Sequence, residues 1–388
     1  MTEEAAPAMI VVALLAWAFV ACEADPPPLT PVGALPTIQT VEPAPPVPEP
    51  VCRAPSLDAV GELDVREEAA LSPCRNPDTG PGRLAKRCGL DGPEPEIPLT
   101  PLEESVLPFD RATREHLLAV AARGRELGRN PHAFGLVGDS MTVSGAFMRP
   151  YGGEDPIVVA PELEPSLWSE TAGGSIFAWY RGHHIERFSG RWRDSFTATR
   201  AAKVGARTLW AVQGGALSPV ANMVERLSPA IAVVLFGGND ASYRVLPFEQ
   251  LAEQFEQDLL RVIDQLEERG VIVVLNTIAR HGDSPGFRNC GGEREMSDWR
   301  LAVQTNLLSA TVAALACERH LPLIDVRHAM DTAVNLGLGS DGVHPSYYAP
   351  GAGMLDARAL RCGYNVRNFV TMKMLADIVD LVFGEEDR

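Results

Sequence analysis

The sequence has few basic residues, no N-terminal apolar run long enough to cross a membrane and no closely spaced cysteine pair. Lysine and arginine total 34 against 51 aspartates and glutamates, which gives a formal net charge of −17. This balance argues against a nucleic-acid partner, because neutralising phosphates requires an excess of cationic side chains. None of the 7 cysteines has the Cys-x-x-Cys spacing that is typical of zinc sites. The sequence therefore predicts no metal site.

The longest apolar run near the N-terminus, residues 9–21 (MIVVALLAWAFVA), is shorter than the roughly 20 residues that a membrane-spanning helix needs. A short apolar run that ends in small residues is typical of an export signal. Because Cys22 follows directly, the segment 1–22 resembles a bacterial lipobox, in which the cysteine is lipidated after cleavage. Residues 1–8 lack Lys and Arg, and Phe19 stands where Leu is usual. We expect an exported protein of the cell envelope, anchored through lipid on Cys22, with a soluble secreted or periplasmic form as the alternative.

Two segments of low regularity follow the predicted signal. Residues 23–50 are rich in proline, which favours an extended, semi-rigid linker. Residues 51–108 contain three cysteines and show little hydrophobic periodicity, so this loop-rich segment has too little core of its own and would benefit from cross-links. With Cys22 lipidated, six cysteines remain, enough for three disulfides in an oxidising compartment. Cys317 falls in a helical pattern and is also consistent with a buried apolar side chain.

The remaining segment, residues 109–388, alternates strand and helix patterns. Short apolar runs bounded by turn residues predict strands at 133–138, 230–238, 271–278 and 321–326. Amphipathic periodicity predicts helices at 111–128, 248–270, 299–320 and 365–383. Such alternation predicts a parallel sheet with helices on both faces, a three-layer α/β/α domain.

Polar side chains follow the predicted strands or lie in the C-terminal part of this domain. Ser140 comes after the first strand, Asn239 after the second, and Asp341 and His344 lie in the segment GSDGVHPSYY. Ligand sites of open parallel sheets lie beyond the carboxyl ends of the strands. A serine becomes nucleophilic when a histidine accepts its proton, and a carboxylate orients that histidine. We therefore expect these side chains to meet at one edge of the sheet.

Three blocks carry a resemblance to a known family. They are Gly138-Asp139-Ser140, Gly237-Gly238-Asn239-Asp240 and Asp341-Gly342-Val343-His344. In order and spacing they are similar to the SGNH/GDSL hydrolases, over residues 130–383, although Met141 replaces the common Leu. The resemblance implies a flavodoxin-like three-layer fold and an esterase or acylhydrolase that needs no cofactor. It also implies that Ser140 is the nucleophile, His344 the base and Asp341 its partner.

The oxyanion hole implied by the resemblance consists of the backbone N–H of Ser140, the amide of Asn239 and a glycine N–H. The segment AAKVGARTLWAV makes Gly205 the predicted glycine, with Gly174 and Gly190 as alternatives. Asp139 is expected to be structural.

Other features admit plain explanations. A second Gly-Asp-Ser, at 282–284, is followed by Pro285 and has no matching partner blocks, so we expect a loop at the rim of the cleft. Residues 173–188 (GGSIFAWYRGHHIERF) suit either an aromatic wall or packing. Adjacent histidines do not face the same way on a helix, which disfavours a metal at His183 and His184.

The expected substrate is an ester, an O-acetyl group on carbohydrate or a lipid ester. Fold alone does not choose between them. An envelope-glycan acyltransferase with the same three residues and a non-catalytic binding module on the same fold are the alternatives.

Overall fold

The computed structural model describes residues 87–88, 95–242, 246–281, 297–339 and 341–384. The predicted signal, Cys22, the proline-rich linker and the second Gly-Asp-Ser lie outside the described residues.

The strands are short, and those of the central sheet follow the apolar runs. In chain order they are β1 (Arg87–Cys88), β2 (Asn130–Gly138), β3 (Trp168–Ser169), β4 (Gly174–Ser175), β5 (Glu186–Phe188), β6 (Arg191–Arg193), β7 (Ala201–Ala202), β8 (Pro229–Leu235), β9 (Ile272–Asn276), β10 (Leu323–Ile324) and β11 (Tyr347–Tyr348).

The α-helices are α1 (Leu99–Glu104), α2 (Arg111–Glu126), α3 (Ser140–Val143), α4 (Ile176–Tyr180), α5 (Pro219–Leu227), α6 (Gly238–Ala241), α7 (Phe248–Glu267), α8 (Ser297–Glu318), α9 (Val326–Asp331) and α10 (Gly363–Val382). Short 3₁₀ turns connect several of them.

The central sheet has five parallel strands in the order β10-β9-β8-β2-β7. All seven residues of β8, at its centre, are buried, since both faces of that strand are covered. Two apolar clusters fill the two faces. One joins the sheet to α2 and α10, and the other joins it to α5, α7 and α8. The three-layer α/β/α architecture expected from the sequence is therefore confirmed.

The structure corrects the predicted elements in two places. Two residues, Ala201 and Ala202, form an additional edge strand on β2, too short to produce a periodic pattern. The strand expected over 321–326 is only Leu323–Ile324, because Asp325 caps α9 by accepting a hydrogen bond from the backbone N–H of His328. The chain thus leaves the sheet earlier than the apolar run suggests.

The folded body also begins before residue 109, the predicted start of the domain. Leu102 of α1 and Val106 are buried in the core, and Val106 forms a bridge with Ile324 of β10. Part of the segment expected to be loop-rich is therefore an integral layer of this domain.

Cys317 is disulfide-bonded, as is Cys362, so the interpretation of Cys317 as a plain apolar side chain is wrong. Its helix α8 contains a stretch, Leu301–Glu318, that is long and apolar enough to cross a membrane by length and composition alone. Half of that stretch is buried, and Leu308 and Val312 pack into one of the two apolar clusters. We therefore describe α8 as a core helix.

Candidate active site

The predicted site residues lie where the strand order reverses. The first strand of the central sheet, β2, lies between the second, β7, and the third, β8. Connections from neighbouring parallel strands diverge at such a point and leave a crevice at the carboxyl edge. Ser140 begins α3 directly after β2, and Asn239 lies in α6 directly after β8. The topology therefore brings these two blocks together.

Ser140, His344 and Asp341 form one hydrogen-bonded chain. His344 Nδ1 lies 2.8 Å from Asp341 Oδ2, and His344 Nε2 lies 2.8 Å from Ser140 Oγ. Because an ionised carboxylate can only accept, Nδ1–H donates to Asp341 and Nε2 is left to accept the hydroxyl proton of Ser140. Half-burial of Asp341 raises its pKa, but the hydrogen bonds from the side chain and backbone of His344 outweigh this and hold the pKa below its ordinary value. The carboxylate is therefore ionised at neutral pH.

The loop that carries His344 is held on both sides. The backbone N–H groups of Val343 and His344 donate to Asp341 Oδ1, so the loop is closed locally. The carbonyl of Ser346 accepts from the N–H of Tyr364, which lies in the first turn of α10. The imidazole is thus oriented by its own loop and by the helix behind it.

The side chain of Asp139, for which the sequence predicts a structural role, is hydrogen-bonded to both α3 and the second motif block. Its Oδ1 accepts from the N–H of Met141, which caps α3, and its Oδ2 lies 3.3 Å from the amide nitrogen of Asn239. Burial raises the pKa of Asp139 to about 6. The side chain therefore connects the first and second motif blocks across the crevice.

Asn239 also fixes the loop that contains Gly205. Its amide nitrogen lies 3.1 Å from the carbonyl oxygen of Ala206. The backbone N–H of Lys203 donates to the carbonyl of Gly138, at the end of β2. The loop after β7 therefore lies beside the end of β2, two residues before Ser140, and Gly205 occupies this loop with φ of +73°.

The neighbouring Asp240 holds the far end of the same loop. It accepts hydrogen bonds from the backbone N–H and the hydroxyl of Thr208 at 3.0–3.2 Å. Burial raises the pKa of Asp240 to about 6. Gly237, two residues before Asn239, has φ of +119°. A Cβ there would lie 2.1 Å from Ile278 Cδ1, so the turn accommodates only glycine.

The alternative glycines lie in other parts of the chain. Gly190 is the turn of the β5–β6 hairpin, and Gly174 begins β4 of a separate two-stranded sheet. Neither belongs to a loop of the central sheet, whereas Gly205 follows β7.

The aromatic segment 173–188 is divided between packing and surface. Phe177, Trp179 and Tyr180 are buried, so these side chains form core. The ring of His183 stacks on that of His132 at a centroid distance of 4.0 Å, while His184 stacks on Trp192. The two adjacent histidines thus have different ring partners. Among the residues that the structure describes, no group of three metal-ligating side chains is found.

The sequence interpretation missed Arg367, which contacts α3, the helix that begins at Ser140. Its side chain is fully buried, Nη1 donates to the carbonyl of Met141 at 3.0 Å, and Cζ lies 3.6 Å from the ring centroid of Phe147. Burial lowers the pKa of Arg367 to about 10. The available signal was an arginine between Val366 and Phe369 in the N-terminal half of α10, since such a charge is rarely buried without a specific contact.

His281 was also missed. It is buried, its Nδ1 lies 2.7 Å from the carbonyl of Ala279, and a Cβ on Gly238 would lie 3.0 Å from its Nε2. Burial lowers the pKa of His281 to about 4, so the ring is neutral at physiological pH. His281 therefore packs against the Asn239 block as a neutral wall.

A three-layer parallel sheet with a Ser–His–Asp hydrogen-bonded chain at its switch point is typical of serine-type hydrolases that act on ester bonds. The family model described as "GDSL-like Lipase/Acylhydrolase family" matches residues 136–348, more than half of the 388-residue chain. The chain belongs to this family and is an ester-bond hydrolase by membership. The resemblance inferred from the three blocks is thereby confirmed.

No curated protein matches the chain. Solved structures of low identity are similar to it. A GDSL-like lipase from Bacteroides thetaiotaomicron has 14% identity, covers 67% of this chain and 96% of its own, and gives a TM-score of 0.36. A mutant acetyl-xylooligosaccharide esterase from Geobacillus Stearmophilus has 15% identity, with 63% and 93% covered and a TM-score of 0.35. A carbohydrate esterase from Talaromyces cellulolyticus has 14% identity, with 62% and 98% covered and a TM-score of 0.32.

Proposed function

We propose that the protein is an esterase in which Ser140 attacks the carbonyl carbon of an ester. His344 accepts the hydroxyl proton at Nε2 and then gives it to the departing alcohol, while Asp341 stabilises the imidazolium. Water, activated by the same histidine, then releases the acid from the acyl-enzyme. The observation that carries this proposal is the unbroken hydrogen-bonded chain from Asp341 through His344 to Ser140.

The oxyanion of the tetrahedral intermediate would be held by the N–H groups of Ser140 and Gly205 and by the amide of Asn239. Support comes from the loop contacts that bring these three groups to one edge of the sheet. Both amide hydrogens of Asn239 have a protein acceptor nearby, Asp139 or Ala206, so an oxyanion must replace one of them. A negatively charged oxygen is a stronger acceptor than a carbonyl, which favours that exchange.

We further propose that the enzyme works in the cell envelope, attached through lipid on Cys22, and acts on O-acetylated carbohydrate or on a lipid ester. The apolar run 9–21, the cysteine after it and the proline-rich linker support this location. A site outside the cytoplasm would meet envelope glycans and lipids, which are the ester-bearing polymers and amphiphiles of that compartment.

The experiment that tests the mechanism is labelling with a fluorophosphonate, which reacts only with an activated serine. We expect the wild-type protein and the surface control Ser166→Ala to label and Ser140→Ala to remain unlabelled. p-Nitrophenyl acetate, butyrate and palmitate would then define the acyl length. Folded wild-type protein that fails to label would overturn the proposal and favour a non-catalytic binding module. Product accumulating on an added sugar instead of water would identify an acyltransferase.

A further inference from the structure

A second cleft is lined by residues of the segment 149–197, the part of the chain between α3 and the edge strand β7. Its volume is about 750 Å³, and none of Ser140, Asn239, Asp341 or His344 lines it. Four arginines line it, together with a histidine and a tryptophan: Arg149, Arg181, Arg191, Arg193, His184 and Trp192. The hydrolase site does not use any of these side chains.

The cleft is locally basic in an acidic protein. Residues 181–193 carry four arginines and one carboxylate, Glu186, although the whole chain has a net charge of −17. Two acidic side chains, Glu154 and Asp194, also line the cleft. Asp194 accepts hydrogen bonds from the backbone N–H and the hydroxyl of Thr197, and burial raises the pKa of Asp194. Glu154 and Asp194 offset at most two of the four arginine charges, so the cleft keeps a net positive charge.

Two of the four arginines that line the cleft already have partners within the protein. Arg193 lies 3.6 Å from Glu186, which also pairs with Arg200, and Arg181 donates to the backbone carbonyls of Gly153 and Asp155.

The other two, Arg149 and Arg191, are exposed, and no carboxylate or hydrogen-bond acceptor within the described part of the chain pairs with either. Their guanidinium groups are therefore available to an anion, and a guanidinium presents parallel N–H donors that match a carboxylate.

An exposed aromatic ring stands beside these charges. Trp192 is 57% exposed, and one face of its indole stacks on the ring of His184 at a centroid distance of 5.6 Å and an angle of 13° between the planes. Arg187 approaches the same ring at 6.0 Å. A large apolar face that is held rigidly but left open to solvent indicates a binding surface.

We propose that this cleft binds an acidic saccharide, with Arg149 and Arg191 on the carboxylates and a sugar ring against Trp192. The flat C–H face of a sugar suits an indole, whereas a simple inorganic anion has no use for it. A nucleic acid carries denser negative charge and would be repelled by the acidic remainder of the surface. Binding at this cleft does not depend on the proposed catalytic function of Ser140.

The experiment measures binding without catalysis. Tri-galacturonate is titrated calorimetrically into Ser140→Ala protein, with maltotriose as the neutral saccharide and inorganic sulfate as the bare anion. We expect tri-galacturonate to bind more tightly than either. Combining Ser140→Ala with Arg191→Gln or with Arg149→Gln should raise the Kd for tri-galacturonate about tenfold, as for loss of one charge-assisted contact. Trp192→Ala should weaken all saccharide binding, and Arg226→Gln, an exposed arginine on α5, should change nothing.

Each outcome decides the proposal. Equal affinity in Arg191→Gln, Arg149→Gln and the Arg226→Gln control would overturn it. Sulfate binding as tightly as tri-galacturonate, with no effect of Trp192→Ala, would reduce the cleft to a simple anion site and also overturn it. Thermal unfolding of each variant shows whether a loss reflects folding. Failure of fluorophosphonate labelling with saccharide binding intact would remove the proposed function and leave this inference standing.

Discussion

The carboxylate of Asp139 and the amide of Asn239 lie 3.3 Å apart, across the gap between the loops that follow β2 and β8. Asp139 is the residue before the proposed nucleophile, and Asn239 is the proposed oxyanion donor. This contact connects the segment that begins with Ser140 to the proposed oxyanion donor. The first and second motif blocks are therefore connected directly, and a substitution in one block should alter the geometry of the other.

Asp139→Asn should lower turnover of p-nitrophenyl acetate by about 10²-fold, the usual effect of losing one oxyanion donor. If the asparagine oxygen continues to cap Met141, its NH₂ group faces the NH₂ of Asn239, and the two donors repel. Steady-state kinetics on folded protein would measure this. An unchanged kcat would show that the contact does not position Asn239.

The same variant should change how stability depends on pH. Burial raises the pKa of Asp139 from 3.8 to about 6, so the folded state prefers the protonated acid. Its contribution to the free energy of unfolding is therefore fully present below pH 4 and is lost as pH rises through 6. The shift corresponds to up to about 3 kcal/mol, at about 1.4 kcal/mol per pKa unit. Urea unfolding at several pH values should show Asp139→Asn gaining on wild type across this window. A stability difference that is independent of pH would contradict the assignment.

Asp341→Asn should reduce kcat by roughly 10⁴-fold, because an amide at this position favours the wrong tautomer of His344. The exposed Asp155→Asn serves as the control and should keep wild-type kinetics. Near-normal turnover in Asp341→Asn would mean that another group orients the imidazole.

Gly205→Ala, compared with Gly190→Ala, tests whether the backbone N–H of Gly205 is an oxyanion donor or whether the glycine is needed only for its positive φ. Gly205 and Gly190 both have positive φ, +73° and +81°, and a Cβ on either meets nothing within 4 Å. Each alanine should therefore cost about 1–2 kcal/mol of backbone strain. Only Gly205→Ala should also lower turnover, since its strained peptide would move the proposed N–H donor. Equal kinetic effects in both variants would eliminate Gly205 as that donor.

Cys22→Ser should move the protein from the membrane fraction to the soluble fraction of a bacterial host, since lipid is attached through the thiol. Phe19→Leu, which restores the usual lipobox residue, should stay with the membrane. Unchanged fractionation of Cys22→Ser would count against the anchor and favour a secreted form.

The layers could be predicted, and candidate site residues could be proposed, because their signals are local. Continuous apolar runs indicate buried parallel strands, and the first two motif blocks each follow such a run. The edge strand Ala201–Ala202 and the early end of β10 could not be predicted in this way. Both depend on which neighbour offers a hydrogen bond, Val137 in the first case and the cap of α9 in the second.

The sequence by itself determined the alternation of strands and helices and predicted Ser140, Asn239, Asp341 and His344 as site residues, because hydrophobic periodicity and residue chemistry are properties of the chain. Only the tertiary structure decided that Asp139 contacts Asn239, that Arg367 supports α3 and that Arg149 meets Arg191 and Trp192 in one cleft. These contacts join residues far apart in sequence, and no local pattern records which distant side chain will complete a buried charge or an open cleft.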